Sequence, residues 1–202
     1  MADTLKNDKV SLGIHKVYIS QLLLVAAQLL VCVAGFAESN EVVLGVLALV
    51  IVGMTLVSVV LELIGLGKAS PEDQGYQTAF ALAIAALLLV VVQAVANIMG
   101  KTTNATYDDM IVKLDSIAIC YFVIKTTISR LTAIGQEKLA AFGKNALLAV
   151  VVAYVAKLAV MIVEIFVKDS TVLNVLSILT SAMSLCGTCY YAQFLGKSWK
   201  LL

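Results

Sequence analysis

The stretches 17–37, 42–65, 77–99, 110–132, 144–167 and 171–195 are each apolar over about 20 residues or more, the length that crosses a hydrocarbon core of about 30 Å as a helix. In lipid every backbone N–H and C=O must find its partner within the protein, which leaves helices and closed barrels. A barrel would need strands of about ten residues with alternating polarity, and 79–92 is apolar at every position. The single proline, Pro71, falls between the second and third runs, so no span is interrupted by one. The expected fold is therefore all-α: a polytopic membrane protein with a bundle of six transmembrane helices, arranged as a cytoplasmic leader (1–16), one transmembrane domain (17–196) and a short cytoplasmic tail (197–202). With 61% apolar and 13% charged residues among 202, the chain is far from the composition of proteins that fold in water.

Orientation follows from where the basic residues fall. Lys6, Lys9, Lys16, Lys68, Arg130, Lys138, Lys144, Lys197 and Lys200 lie on the side of the two termini, and only Lys101, Lys113 and Lys168 on the other. Both termini are expected in the cytoplasm, with the chain in the plasma membrane. A net charge of +1, with no basic run, gives no reason to expect a nucleic-acid partner. The first apolar run has no convincing small-residue cleavage site after it and is read as a retained span. The outer segment carries Asn104-Ala105-Thr106, a glycosylation sequon expected to be a chance match.

A weak internal repeat accompanies the spans. The even-numbered ones end in Ile64-Gly65, Ile134-Gly135 and Leu195-Gly196, each followed within three residues by a lysine. Three repeated two-helix hairpins would produce this pattern, and so would ordinary helix capping combined with the bias of basic residues toward the cytoplasm.

Polar residues inside the spans are the candidates for function. Lys157 lies in the middle of 144–167, where an ammonium costs roughly 2.5–3.5 kcal/mol unless it finds a partner or water. Ala149, Ala153 and Ala156 beside it allow close helix packing, which directs Lys157 toward protein. At about 1.5 Å per residue, Lys157, Gln93 and Asp115 come to about the same depth. An ion pair between Lys157 and Asp115 is expected, with Gln93 beside it and Asn97 and Glu164 above, all in the outer half. Asn174, Ser177, Ser181, Ser184 and Thr188 form a continuous polar stripe on the last span, directed at packed protein or a hydrated cavity. Gln21 and Gln28 share a weakly polar face of the first span. Glu62, near the inner end of the second, has Lys125 or Arg130 as available partners, and no functional role is expected of it.

Catalytic and cofactor chemistry is not indicated. The four cysteines all fall within spans, and Cys186-Gly187-Thr188-Cys189 has redox spacing without a loop cysteine to exchange with. No metal site, paired carboxylate or nucleophile with an adjacent base is evident, so an enzyme is not expected. Two kinds of function fit. One is a subunit that binds or transports a small polar solute or ion through the outer polar cluster. In size and span number the chain is similar to the substrate-binding subunits of energy-coupling-factor transporters, although its first span lacks their Ala-x-x-x-Ala pattern, whose nearest equivalents are Ala79/Ala83 and Ala149/Ala153. The other is a non-catalytic scaffold or accessory subunit, packing against other transmembrane proteins or further copies of itself, with the lipid bilayer as its medium in both cases.

Overall fold

The computed structural model describes residues 8–34, 41–99, 105–167 and 171–202, with the side chains of 97 and 105–109 outside the description. Six helices account for almost all of it: α1 (Asp8–Ala34), α2 (Glu41–Ala69), α3 (Gln74–Ile98), α4 (Ala105–Ala133), α5 (Glu137–Phe166) and α6 (Thr171–Ser198). A single 3-10 turn, Ser70–Glu72, carries Pro71 between α2 and α3, and no strand occurs among the described residues. Five of the helices are long and apolar enough to cross a membrane; α4, which carries Lys113, Asp115 and Lys125, is as long but less apolar.

Each helix packs on its neighbours in sequence, and α6 returns to pack on α1, so the six form a closed ring. The contact between α1 and α2 is the most extensive. There Gly13 and Gly65 face each other so closely that a Cβ on either would lie 2.6 Å from the other's carbonyl oxygen. Two turns away the buried Ser20 and Ser58 hydroxyls meet at 2.9 Å, and Ser58 Oγ also lies 3.0 Å from the Ser20 carbonyl it donates to. Small residues are what let helix backbones approach where no hydrophobic force drives association in lipid.

Between α3 and α4 the buried Tyr76 hydroxyl bonds to Thr127 Oγ1 at 2.9 Å. Gly143 of α5 accommodates Phe194 of α6, and Gly187 lies against Ala153. The ring closes where Ser11 Oγ donates to the Trp199 carbonyl at 2.6 Å and the His15 ring stacks on Trp199 at 4.2 Å. Thus α1 begins well ahead of its apolar run, and the first turns pack through Val10 and Ile14 where a separate leader was expected. His15 thereby helps close the bundle.

The dense core sits at the end carrying both termini: Val10, Leu66, Tyr76, Val123, Leu131, Tyr191 and Phe194 are fully buried there. Arg130 donates to the Glu72 carbonyl and lies 3.6 Å from Asp73, whose Oδ1 in turn accepts the Gly75 N–H at 2.9 Å, fixing the α2–α3 corner on α4. At the far end the surface is apolar and open, with Ile98 86% and Phe166 80% exposed, as expected of side chains that meet acyl chains. The three glycines of the apparent repeat have different roles. Gly65 makes a backbone contact, Gly135 takes the left-handed conformation (φ 76°) in the α4–α5 turn, and Gly196 lies against the Tyr18 ring.

Candidate functional site

On α5, Val150, Tyr154, Lys157 and Met161 recur at helical spacing, and Val150 and Met161 are buried, so the stripe between them faces protein. Lys157 is half-buried there. Its Nζ donates to Ser177 Oγ and to Ser181 Oγ, each at 3.1 Å. The hydroxyls of α6 are arranged to receive it. Ser181 Oγ donates to the Ser177 carbonyl at 2.7 Å, and Ser184 and Thr188 donate to the carbonyls one turn back, each at 2.9 Å. A serine that spends its proton on its own helix presents lone pairs outward, and these can accept from an ammonium.

The expected Lys157–Asp115 ion pair is not formed. No Lys157 nitrogen lies within 4.0 Å of a carboxylate among the described residues, and its partners are neutral hydroxyls. The reason is rotation about α4. Lys113, two residues before Asp115, has its Nζ 6.0 Å from the Tyr154 ring centre on α5. Two residues turn a helix by more than a right angle, so Asp115 faces the other way. It is half-buried in an open groove of about 370 Å³ between α3 and α4, among Ala86, Leu89 and Ala118. Depth was a sound guide to level and carried no information on direction.

Of the other candidates, Glu164 is exposed, Gln93 is half-buried on α3, and Asn174 is exposed at the end of the stripe nearer the start of α6. The side chains of Asn97 and of Thr106, and all of Asn104, lie outside the described residues. Thus the structure joins Lys157 to part of the α6 stripe, two features expected separately, and leaves Asp115, Glu164 and Gln93 apart from them.

Further polar groups line the bundle below Lys157. The Tyr154 phenol meets the Thr188 side chain, one turn of α5 inward. On α1, Gln21 is buried, and seven residues on, Gln28 Oε1 is buried without a hydrogen-bond partner. The Tyr191 hydroxyl on α6 is likewise buried and unpartnered. Glu62, given no role from the sequence, meets neither Lys125, which donates to the Tyr121 hydroxyl at 3.1 Å, nor Arg130, which holds the α2–α3 corner. On α2 it shares a face with Ser58, Gly65 and Ala69, small residues that pack against α1. No known protein family matches the chain, and no characterised protein or solved structure shows significant similarity to it.

Proposed function

We propose that this integral membrane protein binds a small polar solute or ion within its ring of helices and moves it across the bilayer, without catalysing a reaction. In this reading α4 is the sixth crossing and both termini are cytoplasmic. The observation that carries it is Lys157: an ammonium deep in a membrane-spanning helix, held by two serine hydroxyls and with no counter-charge within 4.0 Å among the described residues. Hydroxyls satisfy two of its three N–H donors and leave the charge uncompensated. Intramembrane cations without a fixed anion mark ligand or ion pathways. The solute class favoured is one with an anionic group, which would take the remaining N–H and supply the missing charge.

Mass spectrometry of the purified protein, run both for retained small molecules and for copurifying chains, tests the reading. Lys157→Met should keep the fold and lose the retained solute. A stoichiometric membrane protein in place of a small molecule, with Lys157→Met leaving it bound, would support a scaffold and reject the binding site.

A further inference from the structure

The groove between α3 and α4 holds a charge that the Lys157 reading does not use. Ala85, Ala86 and Leu89 of α3 and Ile111, Leu114 and Ala118 of α4 line its volume of about 370 Å³, and Asp115 is the one polar side chain on its wall among the described residues. Ala85 is exposed, and Leu114 at 55% and Ile111 at 49% stand open at the rim, so the groove opens on the surface of the bundle. With α4 crossing the membrane, as proposed above, that surface meets acyl chains.

Asp115 has no counter-charge in place. No lysine or arginine nitrogen lies within 4.0 Å of its carboxylate among the described residues, and Lys113, two residues before it, is turned toward Tyr154 of α5. A carboxylate beside hydrocarbon is costly, and the same low dielectric strengthens its attraction for any cation that reaches it.

The wall selects the kind of cation. Hard metal ions take about six or more oxygens from protein or water, and an apolar wall facing acyl chains supplies one carboxylate. A primary ammonium brings three N–H donors, more than one carboxylate can face at once, and the rest of the wall has no side-chain acceptor for them. A cation whose charge sits on a tertiary or quaternary centre under a cover of hydrocarbon has neither need: its charge meets Asp115, and its apolar groups meet alanine, leucine and isoleucine. Small-molecule sites combine about 300–1,000 Å³ of mostly apolar wall with a few placed polar groups, as here. Along α4 the wall runs from Ile111 to Ala118, about 10 Å at 1.5 Å per residue, which suits a compact molecule better than the length of a partner helix. We propose that the Asp115 groove is a binding site for lipophilic organic cations that enter from the bilayer. The site rests on α4 crossing the membrane and is independent of Lys157.

Saturation binding of radiolabelled tetraphenylphosphonium to the full-length protein in lipid nanodiscs tests this, with empty nanodiscs as the blank. Wild type should show a saturable site above uptake by lipid. Asp115→Asn should weaken it by about tenfold or more, Asp115→Glu should retain it, and Lys157→Met should leave it unchanged, which separates this site from the solute site. Ala85→Phe, placing a ring in the groove from an exposed position, should block binding with the carboxylate intact. Tetramethylammonium, which has the charge without the hydrocarbon body, should not compete at concentrations where tetraphenylphosphonium saturates. The proposal fails if wild type binds no more than empty nanodiscs, if Asp115→Asn or Ala85→Phe binds as wild type does, or if Lys157→Met abolishes binding. Should Asp115→Asn not fold, Ala85→Phe decides. A transmembrane chain that copurifies with wild type and is lost in Asp115→Asn, without cation binding, would overturn the proposal in favour of a partner helix.

Discussion

Adding one methyl group at Gly65 should loosen the bundle, and the size of the effect follows from the α1–α2 contact. An alanine there would place its Cβ 2.6 Å from the Gly13 carbonyl oxygen and 2.9 Å from a Val17 methyl. Ordinary contact begins at 3.4 Å, so the helices must part by about 0.8 Å, and the nearest obstacle is backbone that no rotamer change can move. Overpacking of this kind costs about 1–3 kcal/mol. Alanine also favours the helix by about 1 kcal/mol over glycine, so the net loss is smaller than the clash alone.

Gly45, on the same helix with nothing within 4 Å of its added Cβ, supplies the control. Gly45→Ala should gain the helix preference without the clash. The difference between the two variants then isolates packing, at about 1–3 kcal/mol, and unfolding in a detergent titration would measure it. Gly13→Ala combined with Gly65→Ala should cost less than the sum of the two, because one separation of the helices relieves both contacts. Equal stability of Gly65→Ala and Gly45→Ala would refute the close crossing.

The Ser20–Ser58 pair should behave as a unit: Ser58→Ala strands the buried Ser20 hydroxyl at about 1–3 kcal/mol, whereas Ser20→Ala leaves Ser58 its bond to the Ser20 carbonyl, so the double variant should be less destabilising than Ser58→Ala alone, by the same unfolding titration. Orientation is checked on a cysteine-free background with an impermeant thiol reagent added outside intact cells. Cysteine at position 103 should react and cysteine at Gln136, exposed in the α4–α5 turn, should not; the reverse pattern would invert the topology.

Much of the fold was legible because lipid imposes a simple rule on length and polarity. The helices fall where apolar runs of membrane length fall, and at the end carrying the termini they extend beyond those runs because packing and Arg130 hold the polar turns. Closure of α6 on α1 left no sequence signal, since Ser11 and Trp199 are adjacent only after four other helices have been placed. At the candidate site, the cost of a buried ammonium correctly implied that Lys157 must find a partner. The partner itself depended on rotation about α4, which depth cannot report, and Ser177 and Ser181 took the role given to Asp115. Glu62 was overlooked for a related reason. Its position near the end of an apolar run suggested a side chain reaching for the interface, whereas its phase places it on the α2 face whose Ser58 and Gly65 pack against α1.

The contact of Ser11 and His15 with Trp199 also bears on how the protein is made. Synthesis delivers α1 ahead of α2 to α5 and α6 after them, so α1 waits through four helices before this neighbour arrives. Until then the ring has a gap beside α1, and Lys157 lacks the serines of α6. A chain cut short before α6 would present the insertion machinery and membrane proteases with an unshielded ammonium and an open seam. One helix, α6, thus covers two weak points at once: a copy that has it hides the ammonium and the seam, and a copy cut short before it displays them together.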